Sequence, residues 1–103
     1  MAIYKNNNEY DRSNVKLRNN NLIYYDKNTK KSDFEYIDYG MLYFKKSSLS
    51  HIELSGIFEI SDILNKYGKM NILRGYINNN RFFEVGSIAG IQEFTDFAKQ
   101  LQL

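Results

Sequence analysis

Residues Glu35 to Lys45 read EYIDYGMLYFK, and this stretch decides the expected fold. Tyrosine, isoleucine and phenylalanine are enriched in β-strands because their side chains pack well on a pleated surface. The stretch is therefore the strongest strand candidate in the chain. Its one interruption is Gly40, and a glycine inside a strand indicates a bulge or a close approach to the backbone.

Further strands are expected on both sides of this stretch. Asn14–Arg18 alternates apolar and polar side chains, which is typical of a half-buried strand, and Leu22–Tyr25 returns to complete a hairpin. Met1–Lys5, Met70–Ile77 and Arg81–Val85 also predict strands. Asparagine tolerates left-handed backbone conformations. Turns are therefore predicted at the three asparagine runs, Asn6–Asn8, Asn19–Asn21 and Asn78–Asn80.

Apolar residues at helical spacing predict two helices in the second half. Ser61 can cap the first and Gly68 suits its end, and Ser87 can cap the second. Lys46–Ser50 indicates one further helical turn. The apolar faces that we expect in the core are Ile60, Ile63, Leu64 and Tyr67 in the first helix, and Ile91, Phe94, Ala98 and Leu101 in the second.

The expected fold class is α/β, with a mixed sheet of about six strands and two or three helices. Strand pairs joined by short turns occur beside strand–helix–strand segments. Residues 1–103 fit a single domain. A strand begins at the first residue without a lead-in, so we expect the chain to start in the middle of a larger unit.

Composition excludes several classes of function. The net charge is +2 and the basic residues are scattered, without the basic stripe of a nucleic-acid-binding module. The absence of cysteine excludes disulfide frameworks and thiolate metal sites. No apolar run approaches the roughly 20 residues that span a bilayer, and the N-terminus lacks the order of a signal peptide. We therefore expect a cytoplasmic protein that binds neither nucleic acid nor membrane.

Lys27 is the first candidate site residue, because it follows the hairpin at a strand end. A lysine there can project over the carboxyl edge of a sheet, where α/β proteins tend to bind ligands. The residues alone favour a solvated lysine in a basic loop. The lone His51 has no cysteine or second histidine nearby, and we expect it at the surface.

The second candidate cluster lies in the central strand. An unpaired carboxylate is costly to bury, so Asp38 needs a partner in this apolar stretch. Gly40 would let a ligand approach the backbone. Tyr36 and Tyr39 each offer an apolar ring and a hydroxyl, which suit a sugar. An exposed edge with Asp38 in water is an equally open alternative.

The third candidate is Glu84, which precedes Gly86 and Ser87 at the expected start of the last helix. Carboxylates at such positions commonly hold Mg²⁺, which prefers one or two carboxylates with phosphate oxygens. The N–H groups at the helix N-terminus could also meet an anion. A structural or capping role for Glu84 stays open beside these.

Taken in order, these clusters resemble the second half of the sugar-phosphate nucleotidyltransferase family. They are most similar to the branch of heptose-1-phosphate and mannose-1-phosphate guanylyltransferases. The resemblance covers nearly the whole chain. It is carried by Ala2–Asn6, Ser13-Asn14-Val15, Tyr25-Asp26-Lys27, Glu35–Gly40, Phe82-Phe83-Glu84-Val85-Gly86-Ser87 and the helix through Phe94.

The resemblance implies a Rossmann-like mixed sheet of the nucleotide-diphospho-sugar transferase type. It implies an enzyme that joins a nucleoside triphosphate to a sugar 1-phosphate with Mg²⁺. The sugar phosphate attacks the α-phosphorus and pyrophosphate leaves, so catalysis is chiefly positioning and charge neutralisation. By this resemblance Lys27 contacts phosphate and Glu84 binds Mg²⁺. The expected substrate-binding residues are Asn14, Tyr36, Asp38, Tyr39 and Gly40, of which Asn14 matches a family position without an assigned role.

The chain departs from the family in one respect. The glycine-rich GxGTRL-type loop that cradles the triphosphate is absent, as is the first metal-binding aspartate. We therefore expect a sugar-binding half, either a truncated product or one piece of a split enzyme, that does not transfer nucleotides alone. A non-catalytic binding or oligomerisation module derived from the fold is the alternative. Because a half-sheet leaves an open edge, the expected partners are the complementary N-terminal half or a second copy, besides sugar phosphates and nucleotides.

Overall fold

The computed structural model describes residues 1–50, 52 and 56–102, so the expectation for His51 lies outside it. The strands are β1 (Ala2–Lys5), β2 (Val15–Leu17), β3 (Ile23–Tyr25), β4 (Tyr36–Asp38) and β5 (Tyr76–Ile77). The helices are α1 (Lys46–Leu49), α2 (Ile60–Lys69) and α3 (Ile88–Gln100), and Asn19–Asn21 forms a 3-10 turn. The expected α/β class with a mixed sheet is confirmed.

The strands form a sheet in the order β3-β2-β4-β1-β5. Neighbouring strands are antiparallel except β1 and β5, which are parallel. Because β2 is antiparallel to both β3 and β4, those two strands run in the same direction. They end at Tyr25 and Asp38 on one edge of the sheet, where β2 begins. We call this the carboxyl edge.

The sheet is curled, because the start of β3 at one end of the strand order meets the segment that leads into β5 at the other end. Leu22, just before β3, forms an antiparallel bridge with Arg74, just before β5. The amide of Ile23 donates to the carbonyl of Leu73 at 3.0 Å. The curl encloses a core on one face of the sheet, and α2 covers it. The buried residues of this core are Ile3, Val15, Ile23, Tyr25, Ile63, Leu64, Tyr67 and Leu73.

Helix α2 confirms most of its predicted apolar face but not its predicted cap. Ile63, Leu64 and Tyr67 are buried, whereas Ile60 is 49% exposed. The N-cap is Glu59, without a side-chain capping bond. Ser61 lies inside the first turn and its hydroxyl donates to the Glu59 carboxylate at 3.0 Å.

The central strand is shorter than predicted. Gly40 has a φ of +72° and its amide donates to the Asp38 carboxylate at 3.1 Å, so the chain turns there. No protein atom lies within 4 Å of a Cβ placed on Gly40, so it marks a turn rather than a bulge or a close approach within the chain. The amide of Ala2 still bonds to the carbonyl of Met41 at 3.0 Å.

Two other predicted strands are largely irregular. Of Met70–Ile77 only β5 is a strand, because Asn71 has a φ of +58° and the chain first turns off the end of α2. Arg81–Val85 forms no strand. The carbonyls of Asn80 and Arg81 instead accept hydrogen bonds from the Tyr39 hydroxyl at 3.1 and 3.2 Å.

Helix α3 has its predicted cap, since the Ser87 hydroxyl accepts the amide of Gly90 at 3.0 Å. Its predicted burial is wrong: Ile91, Phe94 and Leu101 are 52%, 42% and 53% exposed. The spacing of apolar residues predicts that a helix has an apolar face, but it does not predict whether another element covers that face. Among the described residues, no helix has the length and apolar character required to cross a membrane.

Candidate ligand-binding site

Asn14 and Asp38 form a reciprocal pair at the carboxyl edge. Asn14 immediately precedes β2 and Asp38 ends the adjacent β4. The Asn14 side-chain amide donates to the Asp38 carboxylate at 2.7 Å, and the Asp38 backbone amide donates to the Asn14 side-chain oxygen at 3.0 Å. The sequence analysis required a partner for Asp38 if it was not fully exposed, and this half-buried carboxylate has one.

Lys27 lies at the same edge, past the end of β3. The amide of Asp26 donates to the carbonyl of Asn14 at 2.9 Å, which ties this strand end to the Asn14–Asp38 pair. The Lys27 ammonium lies 3.1 Å from the Glu59 carboxylate, and both side chains are exposed. Hydrogen bonds from Lys27 and then Ser61 hold the pKa of Glu59 below its usual value. Lys27 is therefore paired within the chain but open to solvent.

The pKa of the Tyr25 phenol is affected by the charges at this edge. Its side chain is 9% exposed, and burial is the main cause that raises the pKa of its phenol. The carboxylates of Asp38, Asp26 and Glu59 raise this pKa further because they disfavour a second negative charge nearby. Three carboxylates thus lie near this phenol. Such an edge offers several acceptors to the hydroxyl groups of a sugar.

The other predicted sugar-binding residues are divided between two environments. Tyr36 is paired with Val15 across the sheet and packs against the core that α2 covers. Tyr39 uses its hydroxyl to bind the chain at Asn80 and Arg81, and its ring centroid lies 6.1 Å from that of Phe82. Gly40 is exposed in its turn. The structure therefore brings Asn14, Asp38 and Lys27 together, and it gives the tyrosines other neighbours.

Glu84 occupies a separate location at the start of α3. Its carboxylate accepts the backbone amide of Gly86 and, at 2.8 Å, the hydroxyl of Ser87. A carboxylate at a helix N-terminus also interacts favourably with the helix dipole. Among the contacts of the described residues, none links Glu84 to Lys27 or Asp38. Glu84 therefore stabilises the turn before α3 and holds the hydroxyl of Ser87, which is the residue that caps the helix. This is the structural role that the sequence left open for Glu84.

The side chains around Glu84 provide few ligands for a metal ion. No group of three or more His, Cys, Asp or Glu side chains suited to a metal ion occurs within residues 1–50, 52 and 56–102. Mg²⁺ takes one or two carboxylates and completes its shell with water and phosphate oxygens. Glu84 offers one carboxylate whose two oxygens are already hydrogen bonded. These donors do not form a ready site for a resident ion.

Arg81 is a structural residue that the sequence analysis did not single out. Its guanidinium carbon lies 3.9 Å from the ring centroid of Tyr10 and 4.5 Å from that of Phe83. It also forms an ion pair with Glu93 in α3. Stacking of a guanidinium on aromatic faces is favourable. Arg81 therefore connects α3 to the loop after β1 through Glu93 and Tyr10. No local sequence signal predicts these contacts.

Comparison of the chain with protein-family models, curated proteins and solved structures finds no match. The relationship to sugar-phosphate nucleotidyltransferases therefore stays a prediction from particular residues of the sequence. Those residues include each member of the carboxyl-edge group, Asn14, Lys27 and Asp38.

Proposed function

We propose that these residues are the sugar-binding half of a sugar-phosphate nucleotidyltransferase. In this proposal the chain binds a sugar 1-phosphate or a nucleotide sugar at the carboxyl edge and does not transfer nucleotides by itself. One observation supports it most. Three segments that carry the resemblance, around Asn14, Lys27 and Asp38, converge on one edge although they are distant in sequence.

The chemistry of the edge assigns a role to each residue. The Asp38 carboxylate accepts hydrogen bonds from sugar hydroxyls, and Asn14 holds it in position through the two bonds described above. Lys27 exchanges Glu59 for the ligand phosphate, which an exposed pair 3.1 Å apart permits at small cost. Tyr36 borders the sugar, as the resemblance implies. The carboxylates of Asp26 and Glu59 weaken phosphate binding, so we expect modest affinity.

Mg²⁺ enters the proposal only as an ion that accompanies the ligand. When bound, it would offset the negative charge of phosphate beside the edge carboxylates. Glu84 is the residue that the resemblance assigns to it, and its present bonds to Gly86 and Ser87 would have to open. No step of the proposed binding depends on the ion.

The finer fold assignment is also a proposal. A Rossmann-like sheet of the nucleotide-diphospho-sugar transferase type is largely parallel, and here β1 and β5 are the parallel neighbours. The glycine-rich loop is not among these residues. In this proposal the nucleotide-binding strands belong to the N-terminal half, which would extend the sheet.

Titration calorimetry with a panel of sugar 1-phosphates tests the site. Lys27→Ala should weaken binding about tenfold or more, the loss expected when a charged hydrogen bond to phosphate is removed. Lys30→Ala is the matched control, because it removes an exposed lysine from the same loop. Equal affinities for both variants, or nucleotidyl transfer by the isolated chain, would contradict the proposal.

The second candidate is a non-catalytic oligomerisation module. The uncovered apolar face of α3 favours it, because a helix of this kind is normally packed against a partner.

A further inference from the structure

The chain exposes more surface than its mass requires. Its accessible area is 7775 Å², whereas a compact monomer of 12.2 kDa exposes about 6,100 Å². Its radius of gyration is 15.3 Å, against about 13 Å for a compact chain of this length. The excess is about 1,700 Å², and a stable interface buries about 800 Å² on each partner. The surplus is therefore large enough for two contact surfaces.

One uncovered surface is the outer face of α3. Ile88, Ile91, Phe94 and Leu101 lie along one side of the helix and are 90%, 52%, 42% and 53% exposed. Phe83 stacks on Phe97 and also contacts Phe94, so the chain covers only one flank of this apolar stripe. We call the exposed remainder the α3 face.

The other uncovered surface is a groove of about 390 Å³ between α2, α1 and the start of β5. Most of its lining is apolar: Leu42, Tyr43, Leu64, Tyr67, Ile72 and Tyr76. Tyr43 and Tyr76 are 84% and 74% exposed. A groove of this composition suits the apolar side of an amphipathic helix.

The charges of the two surfaces are compatible with this pairing. Among the described residues, the charged side chains that line the groove are Lys45 and Arg74, and both are basic. Helix α3 carries two acids and one base, and its Glu93 is already paired with Arg81. Helix α3 therefore brings no net positive charge to a basic groove, and the match depends on the apolar area.

We propose that two copies of this chain associate reciprocally, with the α3 face of each copy in the groove of the other. Such an arrangement has two-fold symmetry and covers both surfaces in each copy. A second copy is an occupant that brings both an uncovered apolar helix and an apolar groove. The inference does not depend on a ligand at the carboxyl edge.

Sedimentation velocity over a range of protein concentrations tests the inference on the wild-type chain. We expect a reversible dimer. Ile91→Lys on the α3 face should raise the dissociation constant about thirtyfold or more, as for a buried anchor residue. Gln100→Lys is the control, because it adds the same charge to an exposed position on the opposite side of the helix from Ile91 and should leave the dimer intact.

A mixing experiment tests the reciprocal pairing. Tyr43→Glu in the groove should also yield monomers, since it places a carboxylate against the apolar side chains of the α3 face. When the Ile91→Lys and Tyr43→Glu chains are mixed, one of the two contacts joins wild-type surfaces and the other joins opposite charges. The mixture should therefore form dimers that neither variant forms alone. Circular dichroism checks that both variants are folded.

Several results would overturn the inference. A wild-type chain that stays monomeric at every concentration would do so, and would favour a different protein as the occupant. A dimer that resists either substitution would exclude the proposed pairing. A mixture of the two folded variants that stays monomeric would also exclude it.

Discussion

Asn6 illustrates how one residue can do more than its local pattern indicates. The asparagine run predicts a turn, and positive φ values at Asn7 and Asn8 confirm it. Asn6 itself is 1% exposed, and its side-chain amide donates to the Asp11 carbonyl at 2.6 Å and the Ser13 hydroxyl at 3.0 Å. These bonds satisfy a buried polar group. The sequence could not predict them, because the partners come together only when the loop closes.

Tyr25 makes the stability of the protein depend on pH in the alkaline range. Burial and nearby carboxylates raise the pKa of its phenol above the ordinary value of 10.0. The folded chain therefore holds this proton more tightly than the unfolded chain does. The resulting stability is fully present below pH 10.0 and is lost as the pH rises through the folded pKa.

Above pH 10.0 the unfolding free energy of the Tyr25→Phe variant should therefore decrease less steeply with pH than that of the wild-type chain. Urea denaturation at a series of pH values measures it. Tyr24→Phe in the same strand is the matched control, because it leaves the Tyr25 phenol in place and should therefore keep the steep fall. The same slope for the wild-type chain and Tyr25→Phe would show that the buried phenol has no such role.

Among helices and strands, the sequence predicted which elements exist better than it predicted how long each one is. Helices α1 and α3 and strands β1 to β4 each lie within a predicted segment, and α2 extends beyond the predicted cap at Ser61 and end at Gly68. The strand predicted over Glu35–Lys45 ends at Asp38, because a hydrogen bond between the Asp38 side chain and the Gly40 amide closes a turn. Composition favours a strand throughout, and the local turn signal of Asp38 and Gly40 was outweighed by the aromatic and branched residues around it.

Helices α2 and α3 show why burial is harder to predict than periodicity. Both have an apolar face, yet only that of α2 is buried. Helix α2 packs closely on β3: a Cβ on Gly68 would lie 3.2 Å from the carbonyl oxygen of Ile23. The expectation of a core position was right for Leu64 and wrong for Ile91. The two helices have the same pattern of apolar residues, but only α2 packs on the sheet.

The junction before β5 depends on the small size of Gly75. A Cβ there would lie 2.8 Å from the Ile3 Cδ1 atom and 2.8 Å from the Ile23 Cγ2 atom, and both side chains are fully buried. Gly75→Ala should therefore lower the unfolding free energy by about 1–3 kcal/mol, as overpacking does. Chemical denaturation measures the change.

A second substitution separates this cause from others. Ile3→Val removes the Cδ1 atom and alone should cost about 0.5–1.5 kcal/mol. Combined with Gly75→Ala, it should cost less than the sum of the two single changes, because it makes room for the new methyl group. Additive costs would mean that crowding at Ile3 is not the reason.

At the scale of the whole molecule, the candidate site could be predicted in part. The order of segments led to Asn14, Lys27 and Asp38 before their proximity was known. The pairing of Lys27 with Glu59 was missed, because Glu59 lies 32 positions away in the chain. Glu84 lies apart at the α3 terminus, where its carboxylate accepts the Ser87 hydroxyl. Its expected metal role stays a prediction, as does sugar binding at the carboxyl edge.

Thermal unfolding of the wild-type chain against sugar 1-phosphates and nucleotide sugars, with and without Mg²⁺, shows whether the carboxyl edge binds a sugar phosphate. A ligand at 100 times its dissociation constant adds about 2.7 kcal/mol to the unfolding free energy, which raises the Tm by roughly 10 °C or more. We predict such a rise for at least one sugar 1-phosphate, and a smaller one for inorganic phosphate or the free sugar. No rise with any ligand, or an equal rise with phosphate alone, would contradict a sugar-phosphate site at the carboxyl edge.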